Sequence, residues 1–462
     1  MPADVAAVVL AAGKGTRFKS DLAKVLHRCA GRSILGHILA ALEPLELGQI
    51  VVVVGHQADD VEAEARAAGV ANLTIALQAE QLGTGHAVQV ALPALDDRIR
   101  RVVVVPGDTP LLRPDTITGL LGAGGDVHAA SMVSAVLDDP TGYGRVIRES
   151  GSVARIVEHA DASEPEREVR EVNAGIYAFE RELLAACVGG LDTTNAQGEI
   201  YLTDVIEALV ARGAQVAAVV ADADEVAGVN DRRQLAAAAA ALRARTLDRL
   251  MSEGVTVLDP ATTYVDVDVS IGADTVVYPN CILEEATAIG GRATIGPNCH
   301  LVGAEVGDEA CVTNAVVMHA VIGPEAHVGP FAYLRPGTVL GRGAKAGGFV
   351  EMKNAHIGAG SKVPHLSYIG DATVGRDANV GAGTITCNYD GFDKHETHIG
   401  DGAFIGSDTM LVAPVRIGKG AVTGAASAIT EDVPDGALAV ERSHQRNIDG
   451  WADRRREQRG PR

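Results

Sequence analysis

Large aromatic side chains are scarce in this chain. Phenylalanine, tyrosine and tryptophan make up 3% of 462 residues, and there is one tryptophan. A large core with so few rings has to be filled by small aliphatic side chains. Positive charge is also in deficit: 40 Lys and Arg face 60 Asp and Glu, a net charge of −20. That balance argues against general binding to nucleic acid or to an anionic membrane surface. Anionic ligands would have to be caught by local basic groups and glycine loops against the global field. The six cysteines (Cys29, Cys187, Cys281, Cys299, Cys311 and Cys387) show no CxxC or other metal-ligand spacing. They are expected to be small apolar residues in a reducing compartment. No apolar stretch reaches membrane-spanning length without interruption. The first residues enter a strand-like run, Val5–Leu10, with neither a basic segment nor a cleavage site. These absences predict a soluble cytoplasmic protein that binds neither nucleic acid nor membrane.

Glycine, by contrast, is abundant: 53 of 462 residues, about 11% against a usual ~7%. Much of it follows an aliphatic residue in a repeat that starts at Ile271-Gly272. Further pairs include Ile289-Gly290, Ile295-Gly296, Ile322-Gly323, Val328-Gly329, Leu340-Gly341, Ile357-Gly358, Ile399-Gly400, Ile405-Gly406 and Ile417-Gly418. Many intervals are multiples of six, the period of a parallel β-helix whose coil holds three hexads. The aliphatic residue is expected to point inward and the glycine to turn the corner. The period slips at several places, most between Val380 and Ile399. Slips in a solenoid mark loops pushed outward, where ligand contacts concentrate.

Residues 1–230 alternate apolar runs with helical patterns. Val5–Leu10, Ile50–Val54, Val102–Val105 and Val216–Val220 are expected strands; 34–47, 59–68 and 85–92 are expected helices. The alternation predicts a parallel sheet flanked by helices, a doubly wound α/β domain. Residues 231–251 are alanine-rich, begin at Asp231 and predict a linker helix. The β-helix domain would then occupy 252–462. Its basic tail, from Trp451 to Arg462, is expected to be a solvated terminus.

Two clusters carry chemistry. The first strand runs directly into Ala11-Ala12-Gly13-Lys14-Gly15-Thr16-Arg17, a turn where backbone can approach a phosphate chain. Arg17 offers a forked donor and Lys24 a point charge. A second glycine turn, Gln78 to Thr84, opens a helix. Asp108 ends a strand at the sheet edge where ligands gather and is a candidate Mg²⁺ ligand, with Asn230 as a possible second. Gly144, Glu158 and Asn173 supply groups able to grip a sugar. In the repeat, Arg335, Glu351, Lys353, Tyr368, Asn379, Asn388 and Tyr389 fall within a few coils of His365. With an 18-residue coil, Arg335, Lys353 and Asp371 would stack on one edge, and paired cations suit a phosphate. An imidazole can take the proton of an attacking amine during acyl transfer. Glu351 could orient that imidazole.

The segments 10–17 and 20–27 resemble the motif of sugar-nucleotide pyrophosphorylases. The chain as a whole resembles the bacterial bifunctional N-acetylglucosamine-1-phosphate uridylyltransferase / glucosamine-1-phosphate N-acetyltransferase family, both domains in order. The resemblance implies a Rossmann-like nucleotidyltransferase domain, a linker helix and a left-handed parallel β-helix of hexapeptide repeats. It implies that Leu10, Ala11, Ala12, Gly13, Gln78, Gly83 and Thr84 surround the uridine nucleotide beside Lys24. Gly144, Glu158 and Asn173 would hold the N-acetylglucosamine portion, with Asp108 and Asn230 on Mg²⁺. In the repeat, His365 would be the proton acceptor. Arg335, Lys353, Tyr368 and Asn379 would bind the amino-sugar phosphate, with Lys394 a further anion-binding candidate. Acetyl-CoA would meet Ala382, Asn388, Tyr389, Ser407, Ala425 and Arg442. The substrates implied are glucosamine 1-phosphate, N-acetylglucosamine 1-phosphate, UTP and acetyl-CoA, and the assembly a homotrimer. Phe18 and Ala23 depart from the motif, standing where methionine and proline are common. A one-activity nucleotidylyltransferase with a non-catalytic β-helix is the alternative, and a trimeric scaffold the third reading.

Overall fold

The computed structural model describes residues 3–124 and 128–459. The end of the basic tail, 460–462, lies outside the described residues, and Trp451–Arg459 is a helix with every side chain exposed. The chain divides into two compact units, Met1–Arg243 and Ala244–Arg462.

In the first unit, Val5–Leu10 is the central strand, and Val5 through Val9 are fully buried. A strand covered on both faces needs a continuous aliphatic run, which this is. It pairs in parallel with Gln49–Val54 on one side and Arg101–Pro106 on the other. The sheet order is Val216–Val220, Ala130–Val136, Glu171–Glu180, Arg101–Pro106, Val5–Leu10, Gln49–Val54, Leu73–Leu77. The sheet is mixed, which corrects the expectation of a purely parallel one. Glu171–Glu180 runs antiparallel to both neighbours, and an antiparallel pair, Arg145–Glu149 with Ser152–Val157, hangs from it.

The first helix is Ile34–Leu42, capped by Ser33, whose Oγ accepts from the Gly36 N–H at 2.9 Å. It stops short of the expected residue 47. Pro44 falls in a 3₁₀ turn, Glu43–Leu45, and Glu46 closes it with φ 47°. The alanine-rich helix spans Arg232–Ser252, and Asp231 Oδ1 accepts from the N–H groups of Arg233 and Gln234, each at 2.8 Å.

The second unit is a parallel β-helix. One face is an 11-stranded parallel ladder, and the other two faces join in a 17-stranded one. Register builds three interior columns. One runs Leu283, Leu301, Val317, Leu334, Met352, Ile369, all fully buried. A second runs Ile271, Ile289, Val306, Ile322, Leu340, Ile357, Val374, Ile399, Ile417, nine of the residues that precede a repeat glycine. The slips in the repeat are coils of unequal length. Val306 pairs with Ile322, 16 residues on, and Ile322 with Leu340, 18 on. Val374 pairs with Ile399, 25 on, because that coil carries the outward loop.

Most repeat glycines have a different cause from the expected one, although Gly296 (φ 100°) and Gly329 (φ 98°) do turn with positive φ. Gly341 has no positive φ; a Cβ there would lie 2.8 Å from Ala359 N in the next coil. The coil above leaves no room for a side chain. The left-handed corner conformation falls two residues later, at Gly343 (φ 64°) and, one coil on, Gly360 (φ 72°).

Candidate active sites

In the first unit, backbone hydrogen bonds tie together the loops that leave three adjacent parallel strands. Ala11 N–H donates to Val53 O (2.9 Å), His56 N–H to Ala12 O (3.2 Å) and Gly107 N–H to Leu10 O (2.9 Å). Gly107 is required there, since a Cβ would meet Leu10 O at 2.4 Å. These loops border a cavity of ≈ 330 Å³. Of the residues expected from sequence, Leu10, Gly13, Lys24, Thr84, Asp108, Gly144, Glu158, Asn173 and Asn230 line it. Residues up to 220 positions apart, from Leu10 to Asn230, therefore converge on one space.

The charged end is compact. Lys24 Nζ donates to Asp108 Oδ2 at 2.6 Å and to Asn230 Oδ1 at 3.2 Å. Arg17 Nη2 donates to the same Asn230 oxygen at 3.0 Å. Two cations thus share one carboxamide oxygen beside one carboxylate, and phosphate oxygens entering here would find donors already gathered.

The opposite end of the cavity is lined by Gly144, Glu158 and Asn173. Asn173 N–H donates to Gly144 O (2.9 Å), and Asn173 Oδ1 accepts from Gly175 N–H (3.1 Å). Burial pushes the Glu158 carboxyl up, and the nearby Asp204 and Asp161 add to it. A hydrogen bond from Thr203 Oγ1, 3.3 Å long, only partly offsets this. Sequence reasoning missed Thr203 and Tyr177, which also line the cavity, as does Tyr143 of the Gly142-Tyr-Gly144 segment. No glycine turn marks Thr203 or Tyr177 in the sequence.

Ala11, Ala12, Arg17, Gln78 and Gly83 do not line the cavity. Gln78 is 3% exposed and braces the second glycine turn: its Nε2 donates to Gly83 O at 3.1 Å and sits 3.1 Å from His86 Nδ1. Gly83 holds φ 108°, and a Cβ there would strike the Ile200 backbone at 2.6 Å.

The second unit carries its candidates on outer surfaces and corners. Arg335 lies beside Lys353 in register, since Leu334 pairs with Met352. The expected third member, Asp371, is displaced. The next coil is one residue shorter, so Lys353 pairs with Gly370. Asp371 turns the corner with φ 47° and accepts from Asn354 Nδ2 (2.9 Å) and Asn388 Nδ2 (2.5 Å). Burial alone would raise its carboxyl. The two amide donors and the Lys353 and Lys394 ammonium groups outweigh burial and hold it below the usual carboxylate range. Lys353 sits directly beside Lys394 and pushes that ammonium down.

His365 is exposed and pairs in register with Gly348 on the first face. Glu351 belongs to the adjoining face, between Tyr333 and Tyr368, and its Oε1 accepts from Arg335 Nη1 at 3.0 Å. Asn379 lies in register with Lys362 and Phe404 on the first face.

Ala382, Ser407 and Ala425 form a corner column. Asp408 N–H donates to Ala382 O (2.7 Å), Ala426 N–H to Ser407 O (2.8 Å), and Arg442 Nη1 to Ala425 O (3.0 Å). The outward loop after Asn388-Tyr389 is internally ordered. Asp390 accepts from the N–H groups of Asp393 and Phe392 and from His395, which lowers its carboxyl to about 2.

Glycine turns at the edge of a nucleotide-type sheet, with clustered cations and a sugar-sized recess, define a nucleotidyltransferase unit; here it is joined to a β-helix. A family model described as the MobA-like NTP transferase domain matches residues 7–173. Bifunctional protein GlmU of Streptomyces avermitilis is 52% identical over 456 residues, covering 98% of this chain and 94% of that protein. The proteins of that name from Mycolicibacterium vanbaalenii (51%) and Corynebacterium aurimucosum (50%) each cover 98% of this chain and 94% of their own length. The chain belongs to the bifunctional GlmU family. A solved Bacillus anthracis structure, provisionally described as a glucose-1-phosphate thymidylyltransferase with sucrose, covers 51% of this chain and 94% of its own. Its TM-score is 0.41 at 19% identity, and no argument rests on it.

Proposed function

We propose that the two units divide the two reactions of this bifunctional enzyme between them. The enzyme makes UDP-N-acetylglucosamine. It transfers acetyl from acetyl-CoA to the amine of glucosamine 1-phosphate, then uridylyl from UTP to N-acetylglucosamine 1-phosphate, releasing pyrophosphate. The second reaction is assigned to 1–230 and the first to 252–462, joined by the linker helix at 231–251. The convergence of Lys24, Asp108 and Asn230 at one end of a cavity that holds Glu158 and Asn173 at the other carries the uridylyl assignment.

A sugar 1-phosphate oxygen is already ionised near neutral pH, so the site needs no general base. It has to align that oxygen with the α-phosphorus and offset charge on the departing pyrophosphate. Lys24 and Arg17 supply the cations. Leu10 to Gly13, Gln78, Gly83 and Thr84 shape the nucleotide pocket, while Gly144, Glu158 and Asn173 hold the sugar. Mg²⁺ fits the donor set: a carboxylate and a carboxamide oxygen lie within 2.6 and 3.2 Å of one ammonium, both hard oxygens, with substrate phosphates to complete the shell. Held by Asp108 and Asn230, the ion would supply further neutralisation of phosphate charge. Among the described residues no helix is long and apolar enough to cross a membrane, which supports a cytoplasmic assignment.

For acetyl transfer, Lys353 and Lys394 meet the sugar phosphate with Arg335, Tyr368 and Asn379. His365 takes the amine proton as the nitrogen attacks the thioester. Ala382, Asn388, Tyr389, Ser407, Ala425 and Arg442 hold acetyl-CoA. Apart from the buried Asn388, these groups lie on open surfaces and corners of the coils, which favours a homotrimer in which a neighbouring copy covers them.

The test supplies glucosamine 1-phosphate and acetyl-CoA, then UTP and Mg²⁺. Free CoA followed by pyrophosphate is the expected result. Pyrophosphate released only when N-acetylglucosamine 1-phosphate is supplied ready-made would withdraw the acetyl-transfer assignment.

A further inference from the structure

Lys24 reaches Asp108 and Asn230 from a segment with no regular structure of its own. Residues 20–22 are bends between two 3₁₀ turns, Thr16–Phe18 and Lys24–Leu26. The ends of this segment are pinned. Phe18 is 1% exposed and stacks on His27, ring centroids 4.5 Å apart. Besides the local hydrogen bond from Leu22 N–H to Ser20 Oγ (3.2 Å), the middle is held by a side chain from a neighbouring loop. Gln57 Oε1 accepts from the Ala23 N–H at 2.6 Å, and Gln57 Nε2 donates to Asp21 O at 2.5 Å. A single planar carboxamide therefore fixes the peptide direction on both sides of Leu22, immediately before Lys24.

Gln57 belongs to the loop after the neighbouring strand Gln49–Val54. It stands at φ 52°, directly ahead of the helix Ala58–Ala67. It does not line the cavity. Ala23 adopts φ −55° and ψ 138°, inside the narrow φ range that a proline ring imposes. A proline there would set this conformation from within and offer no N–H. With alanine the N–H is free to be used, and Gln57 uses it.

We propose that Gln57 is a positioning residue for uridylyl transfer, its carboxamide holding the backbone from which Lys24 projects. The inference rests on the uridylyl reading of this site. Misplacing a reacting group by about 1 Å costs up to ~10²-fold in rate, so loss of the brace acts on turnover more than on nucleotide affinity.

The test compares steady-state uridylyl transfer by the full-length protein with that of Gln57→Ala and Gln57→Met. The methionine variant keeps the length and removes the hydrogen bonds. Acetyl transfer by the same protein reports on the rest of the chain. The expected result is a kcat lower by about tenfold or more in both variants, with KM for UTP and the acetyl-transfer rate within about threefold of the unmodified enzyme. Adding Ala23→Pro to Gln57→Ala should restore most of the lost kcat. In the unmodified background the same proline should not help, because its ring would displace the Gln57 oxygen. Turnover within threefold in both Gln57 variants would overturn the inference, as would a loss that Ala23→Pro in a folded double variant leaves in place. If the double variant does not fold, Gln57→Met alone decides by the same kcat limits. Absence of uridylyl transfer in the unmodified protein would overturn the parent reading as well.

Discussion

The two units of this chain bring their candidate groups together in opposite ways. The α/β unit gathers short loops from distant points of the sequence into a recess: Lys24, Asp108 and Asn230 meet although 84 and 206 positions separate Lys24 from its two partners. The β-helix repeats one coil and varies what it displays outward. Its candidate groups come from neighbouring coils, and a coil one residue short is enough to move Asp371 from beside Lys353 to a corner. The lesson is that a crossover sheet makes a site by convergence, whereas a solenoid makes one by local interruption of its own period.

If the units are chemically independent, single substitutions should separate the activities. His365→Ala is expected to reduce acetyl transfer by about 10²–10⁴-fold and spare uridylyl transfer; Asp108→Ala should do the reverse. Equal loss of both activities in either variant would break the two-site picture.

Core truncations should be comparable in the two units despite their different architecture. Leu39→Ala and Leu301→Ala, both at positions with no exposure, should each cost about 2–5 kcal/mol, read by urea unfolding. A much smaller cost at Leu301 would mean that the coils relax around a cavity more readily than the sheet does.

The repeat glycine has a cost set by the coil above it. Gly341→Ala would place a Cβ 2.8 Å from a backbone nitrogen, and overpacking of this kind costs about 1–3 kcal/mol. A neutral effect on the melting temperature would return the glycine to a conformational role.

Smaller effects are expected on pH dependence. Burial raises the Glu158 carboxyl, and Thr203 partly opposes it. An acid with a raised folded pKa is destabilising when ionised. The native state therefore loses stability as pH rises from the unfolded value, ~4.3, through the folded one. Thr203→Val removes the opposing hydrogen bond, so the acid limb of the uridylyl-transfer profile should move to higher pH, with no change in acetyl transfer. Asp371 has the opposite sign. Its folded pKa is lowered, so its contribution is present above ~3.9 and is lost as pH falls through the folded value.

The smallest effect belongs to the surface of the solenoid. Arg292 and Glu309 pair at 2.8 Å with both side chains about half exposed, and Arg292→Ala should change stability by less than ~1 kcal/mol.

Much of the first unit's candidate cavity was legible because its segments are local in sequence. The Val5–Leu10 run, the glycine turn after it and the Pro106-Gly107-Asp108 end all lie within short segments whose pattern states their conformation. Apolar runs long enough to be buried strands identified the sheet, but a run of valines says nothing of direction. The antiparallel Glu171–Glu180 was therefore missed, as was its bulged pairing with Ala130–Val136. Asp371 was expected beside Lys353 from an 18-residue coil, whereas the position at which a residue stands depends on the count of residues around each coil.

The sequence by itself determined the two folds, since hexad and strand periodicities are set by which side of the backbone each residue occupies. It also determined which residue types are present to meet a phosphate. Tertiary structure alone decided which of them meet. Burial gave Glu158 its raised carboxyl, register gave Arg335 to Glu351, and a loop from a neighbouring strand gave Ala23 its brace in Gln57. Those outcomes depend on distances between segments far apart in the chain, and no local pattern encodes a distance.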